Sequence, residues 1–224
     1  MADIDKKYLL QENLPFFDKL NSDEIKKLID KSTIVKYKKG ELIYGKNSSC
    51  TGILINIYGQ FRIFISSQSG REITLFKLLD RDVCVLSASC VFKNITYDIN
   101  LEAELDSLAI VIDSTFIKKL SETNNYVLSF LLNLTQDKLS ETLSLIEKTI
   151  FFSLENRVAN FLIVEHNLTN SDVIYATHEN IANNLGSARE AVSRILKKFE
   201  KDNLLEISRG KIKLLDLKSL ENIK

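Results

Sequence analysis

The sequence predicts an α+β chain in three parts: a rolled antiparallel sheet, one long helix, and a small helical module closed by a β-hairpin. Three observations carry this expectation. Between residues 33 and 112 apolar residues recur with period two, residues 122–149 hold neither Pro nor Gly, and from Thr177 two amphipathic stretches flank a glycine. The chain has 224 residues, 45% of them hydrophobic, enough to fill a core of that size.

Residues 13–31 read as short helices, because Asn21 with Glu24 forms a capping box and Ile25, Leu28 and Ile29 form a stripe. The period then changes to two. Strands are expected over 33–37, 41–44, 52–58, 60–66 and 71–78, with further apolar stretches at 83–86 and 101–112. Lys38-Lys39-Gly40, Gly45 through Ser49, Tyr58-Gly59-Gln60 and Ser66 through Gly70 supply the turns. Short strands at such spacing form a closed or rolled antiparallel sheet, a β-roll. Asp113-Ser114 offers a helix start.

Over 122–149, Leu132, Thr135, Leu139, Thr142, Ile146 and Thr149 step by three and four along one face, and Leu128, Leu131, Leu134 and Leu145 form a second stripe. A helix of about 28 residues is about 42 Å long, more than a small domain's own core needs, so Leu132, Thr135, Leu139, Thr142 and Ile146 are expected to be a seam for a second copy. Ser153 caps a further helix carrying Leu154, Val158, Phe161 and Leu162. The expected division is therefore 1–121, 122–149 and 150–224.

Composition excludes several functions. Thirty Lys and Arg balance thirty Asp and Glu, so nucleic-acid or membrane binding has to be a local property. No apolar run approaches the ~20 residues of a membrane helix, and the charged start Met1-Ala2-Asp3-Ile4-Asp5 lacks a signal-peptide core. A cytoplasmic location is expected. The only histidines, His166 and His178, come late, which argues against a cupin-like metalloenzyme built on the sheet. Cys50, Cys84 and Cys90 are too few for an all-cysteine iron-sulfur cluster and read as core residues rather than a redox switch. P-loop and dinucleotide-binding glycine motifs are missing.

Function concentrates after Thr177. Thr177 caps a first helix, Ala182 permits close crossing, and Gly186 supplies the positive φ of a tight turn. In the second helix, residues 188–201, Val192, Ile195, Leu196 and Phe199 share one side, while Arg189, Glu190, Ser193 and Arg194 share an arc of roughly 140° opposite. Arg donates two hydrogen bonds to guanine, Glu accepts from cytosine N4, and Ser contacts base or phosphate. Residues 188–213 hold eight cations (Arg189, Arg194, Lys197, Lys198, Lys201, Arg209, Lys211, Lys213) and four acids (Glu190, Glu200, Asp202, Glu206), a local +4 in a neutral chain. Strands at 204–207 and 212–215 around Ser208-Arg209-Gly210-Lys211 make the wing of a winged helix-turn-helix. His178, Ser187, Arg209 and Lys211 are expected contacts to DNA phosphates.

Pro15-Phe16-Phe17, Lys39-Gly40-Glu41, Gly70-Arg71-Glu72, the long helix and Arg189-Glu190-Ala191-Val192-Ser193-Arg194 together resemble the bacterial CRP/FNR transcription regulators, over nearly the whole chain. The resemblance implies a β-roll sensor, a dimerisation helix and a winged helix-turn-helix that binds double-stranded DNA with inverted-repeat symmetry, with RNA polymerase as a further partner. It implies base reading by Arg189, Glu190 and Arg194 and phosphate contacts by Thr177 and Lys197, with Ser193 typical of the FNR branch.

The sensor departs from the family's cyclic-AMP pattern. Where a Gly-Glu pair and then an Arg-Ser pair hold ribose and phosphate, this chain has Cys84-Val85-Leu86-Ser87-Ala88-Ser89-Cys90 and then Tyr97-Asp98. Leu86 cannot accept ribose hydroxyls and Asp98 repels phosphate, so cyclic AMP is not expected, and neither is the FNR-type cluster, whose N-terminal cysteines are missing. Leu86, Ser87, Ser89, Tyr97, Asp98 and Thr142 are the expected effector-pocket residues, and the effector stays unidentified. A constitutive DNA-binding dimer with a ligand-free β-roll is the alternative.

Overall fold

A computed structural model describes residues 5–44, 52–85 and 99–223. The chain divides into two compact units, Met1–Ile65 with Leu75–Glu141, and Ser66–Thr74 with Thr142–Lys224.

The first unit opens with α1 (Lys6–Asn13), a 3-10 turn (Phe17–Lys19) and α2 (Ser22–Asp30). The reading that placed the first helix after residue 13 missed α1, which buries only Leu10 and so shows no stripe; its signal is the cap, Asp5 Oδ1 accepting from Lys7 N at 3.0 Å. At α2 the box forms as expected: Glu24 N donates to Asn21 Oδ1 (2.9 Å) and Asn21 N to Glu24 Oε2 (2.8 Å).

Among the described residues eight strands follow: β1 (Ser32–Tyr37), β2 (Leu42–Tyr44), β3 (Ile53–Tyr58), β4 (Phe61–Ser66), β5 (Glu72–Leu78), β6 (Val83–Cys84), β7 (Asn100–Ala103) and β8 (Ser107–Ile112). They form two four-stranded sheets, β1-β8-β3-β6 and β2-β7-β4-β5. The apolar stretch 101–112 resolves into two strands because Leu105 and Asp106 turn the chain, and Ser107 Oγ donates to the Leu105 carbonyl oxygen at 2.8 Å. Between the sheets lie Tyr37, Leu54, Phe61, Ile63, Phe76, Leu78, Leu101 and Ala109.

The first sheet is covered on its other face as well. Ile53, Ile55, Ile110 and Ile112 pack there with Leu10, Phe16, Phe17, Leu28, Ile117, Leu120, Val127 and Leu131. Hence Ile53, Leu54, Ile55 and Asn56 are all buried in succession, and the alternation read for β3 does not correspond to one wet face. Buried Asn56 ties two turns together, Nδ2 donating to Gly59 O (2.8 Å) and Leu78 O (3.3 Å). Gly59 is obligatory: its φ is +96° and a Cβ there would lie 2.8 Å from the Asp106 carbonyl oxygen.

Asp113 Oδ1 caps α3 (Ser114–Thr123) through Phe116 N at 2.8 Å. The long helix α4 spans Asn125–Phe151 rather than 122–149, because Asn124 is extended and its Oδ1 accepts from Tyr126 N. Of the second stripe Leu131 is buried, Leu134 and Leu145 are half-buried and Leu128 is exposed. Val127 is buried too, whereas Leu132, Leu139, Leu143 and Ile146 are exposed and Thr135 and Thr142 half-buried.

The second unit carries α5 (Leu154–Thr169), β9 (Val173–Ile174), α6 (His178–Leu185), α7 (Arg189–Lys201), β10 (Leu205–Ser208), β11 (Lys211–Leu214) and α8 (Leu217–Glu221). Its sheet is β10-β11-β9, with Ser208 opposite Lys211 across the hairpin. The two-residue strand β9 and the short α8 are too brief to show periodicity in sequence. Val158, Leu162, Ile181, Val192, Leu196, Phe199, Ile212 and Leu220 form the core.

Candidate nucleic-acid interface

Local chemistry sets the two interface helices. Thr177 is extended, its Oγ1 accepts from Asn180 N (3.1 Å), and Asn180 Oδ1 accepts from Thr177 N (3.2 Å). The cap is thus a reciprocal box with Asn in the place usually held by Glu or Gln. Gly186 ends α6 at φ +66°, and Ser187 N returns to Ala182 O at 3.0 Å. Ala188 starts α7 without a side-chain cap.

On α7, Val192, Leu196 and Phe199 are buried, while Arg189, Glu190, Arg194 and Lys197 are exposed. Ser193 is half-buried at the edge of the arc and Ile195 half-buried at the edge of the core. An open groove of about 660 Å³ runs between the start of α6, the start of α7 and the wing, lined by Thr177, His178, Glu179, Arg189, Ser208 and Arg209 among others. Of the residues expected at phosphates, Thr177, His178 and Arg209 line it; Lys211 adjoins it with its ammonium 5.3 Å from the Tyr175 ring centroid, and Ser187 and Lys197 lie outside it.

Electrostatics divides the cations. Lys198 Nζ is 2.6 Å from Glu155 Oε1 and Lys213 Nζ 3.8 Å from Glu206 Oε2, so two of the eight are engaged internally. Arg189 Nε reaches only 4.0 Å from Glu179 Oε2. Arg194, Lys197 and Arg209 have no ion pair among the described residues. Burial first, and then the Arg189 and Lys197 charges, hold His178 below its ordinary pKa, so its neutral ring faces the groove.

Sequence reasoning missed Arg157. From α5 its Nη1 donates to the Leu185 carbonyl at 3.0 Å and so satisfies the end of α6. The available signal was an arginine inside the apolar stripe of Leu154, Val158 and Phe161.

Of the expected effector residues, Leu86, Ser87, Ser89, Tyr97 and Asp98 lie outside the described residues, as do Cys50 and Cys90, whereas Thr142 is half-buried on α4 and Cys84 is buried. The first unit does have a shallow groove of about 390 Å³ beside α4, lined by Asp82, Val83, Leu134, Asp137, Lys138, Ser140 and Glu141. Among the described residues no three His, Cys, Asp or Glu side chains are placed to hold a metal ion, and no helix is long and apolar enough to cross a membrane.

The Crp-like helix-turn-helix domain matches residues 156–223. A crystallised transcriptional regulator assigned to the CRP/FNR family, from Eubacterium rectale, is 38% identical, with TM-score 0.91 over 94% of this chain and 97% of that one. The transcriptional regulator SdrP of Thermus thermophilus is 32% identical over 91 residues, 38% of this chain and 45% of that protein, so the match spans less than half of its length. The cyclic-di-GMP-responsive regulator CLP of Xanthomonas campestris, at 16% identity and TM-score 0.73 over 87% of this chain and 99% of that one, shares the fold.

Proposed function

Because this chain belongs to the CRP/FNR family of transcription regulators, we propose that it binds an inverted-repeat operator as a homodimer, with α7 in the major groove. It is a sequence-specific DNA-binding regulator whose effector is unidentified. The observation that carries the reading is the division of α7: its apolar side is consumed by its own unit, and Arg189, Glu190 and Arg194 stand outward beside an open groove.

In this reading Arg189 and Arg194 donate to guanine edges, Glu190 accepts from cytosine and Ser193 touches base or phosphate. Thr177, His178, Ser187, Lys197, Arg209 and Lys211 fix register on the phosphates, where a neutral His178 donates one ring N–H. Residues 1–121 act as sensor, 122–149 as dimerisation helix and 150–224 as DNA-binding part. The homodimer forms along Leu132, Thr135, Leu139, Thr142 and Ile146. RNA polymerase is the downstream partner, and binding rather than catalysis, in the cytoplasm, is the activity.

Gel shifts on single-base operator variants at fixed salt test the assignment. Arg194→Ala should weaken operator binding by about 1–3 kcal/mol per half-site and relax preference at one base pair. Unchanged affinity and preference would remove α7 as the reading element.

A further inference from the structure

We propose that Ile73 and Thr74, where the β4–β5 hairpin ends, are positioning residues for DNA recognition that clamp the turn between α6 and α7. The inference rests on α7 being the reading helix.

Three contacts converge on that turn. Ile73 pairs with Leu185 in an isolated antiparallel bridge. Thr74 Oγ1 donates to Asn184 Oδ1 at 2.8 Å, and Asn184 Nδ2 donates to Asn180 O at 2.8 Å, which leaves Oδ1 free to accept. A Cβ on Gly186 would stand 3.1 Å from Ile73 Cδ1 and 3.2 Å from Ile73 Cβ, so the isoleucine lies directly on the glycine. Arg157 holds the Leu185 carbonyl as well. Asn184, Leu185 and Gly186 are therefore fixed by two elements distant in sequence.

The consequence is directional. Gly186 sets the path of the chain, and α7 begins three residues later at Arg189. A small rotation at the turn moves every side chain on the reading arc, so a clamp here acts on base recognition without touching a base. It also leaves Arg189, Glu190 and Arg194 exposed, which makes it a support and not an occlusion. The hairpin tip is braced to deliver such a contact: Ser67 N donates to Arg71 O (2.7 Å), Arg71 N to Ser67 Oγ (3.0 Å) and Gly70 N to Ser67 O (3.0 Å). Ser66–Thr74 falls in the same compact unit as the helix-turn-helix, although the matched domain covers only residues 156–223. The functional reading head is thus larger than that domain.

The test uses the full chain with Thr74→Val, Thr74→Ser and Ile73→Ala, measuring affinity for operator and for random duplex, and amide exchange at Ser187. Thr74→Val should weaken operator binding about threefold to tenfold, leave random-duplex binding unchanged and speed Ser187 exchange. Thr74→Ser, which keeps the donor, should behave as wild type, and this pair decides the matter where Ile73→Ala fails to fold. Unchanged operator affinity in Thr74→Val, equal losses on both duplexes, or tighter operator binding would each overturn the inference. If Arg194→Ala abolishes base preference while Thr74→Val does nothing, only the clamp falls. If Arg194→Ala does nothing, the reading of α7 falls first.

Discussion

The helices α7 and α4 solve opposite problems. α7 buries Val192, Leu196 and Phe199 within its own unit and presents Arg189, Glu190, Arg194 and Lys197 outward. α4 buries Val127 and Leu131 but leaves Leu132, Leu139 and Ile146 at 55%, 59% and 48% exposure. What a helix leaves outside once its own core is filled dictates its partner. Cations and hydrogen-bonding groups await a polyanion with a donor and acceptor code, whereas a stripe of leucines awaits another apolar surface.

The largest effect should come from making the two outward faces alike. Leu139→Glu with Ile146→Glu should give monomers in sedimentation and lower operator affinity by about 10²–10⁴, the avidity of two half-sites held together. A wild type already monomeric at micromolar concentration would mean that α4 needs no partner and would erase the contrast. Next, Phe199→Ala attacks the buried side of α7. At 1% exposure, its loss should reduce unfolding free energy by about 3–5 kcal/mol in urea titrations, and a near-neutral result would mean that α7 is not held as described.

Smaller effects sharpen the polar side. Lys197→Ala should weaken specific and random duplexes alike and lower the slope of log affinity against log salt by about 1, separating a phosphate contact from the base contact of Arg194. The smallest effect concerns His178. Its folded pKa is depressed, so the native state resists protonation: its contribution is complete above the ordinary histidine value near 6.5 and declines as pH falls below it. His178→Asn should therefore flatten the loss of stability as pH falls below the ordinary histidine value, and parallel curves for the two proteins would contradict the assigned environment.

Much of this contrast was legible in the sequence, because it is local. The cap at Thr177, the glycine turn, the 3.6-residue period of α7 and the unbroken run of α4 depend on residues within a turn or two of one another, and periodicity reports an element with one buried side. The tertiary structure alone decided the rest. β3 is apolar on both faces, so its sequence could not announce that α1, α2 and α4 cover one side and the second sheet the other. Which cations remain available was equally hidden, since Lys198 is engaged by Glu155, 43 positions away. The same holds for the Leu185-Gly186 turn, held by Arg157 across 28 residues and, beside it, by Thr74 across 110. Such contacts leave no period in the chain, because their partners become neighbours only after the elements have packed.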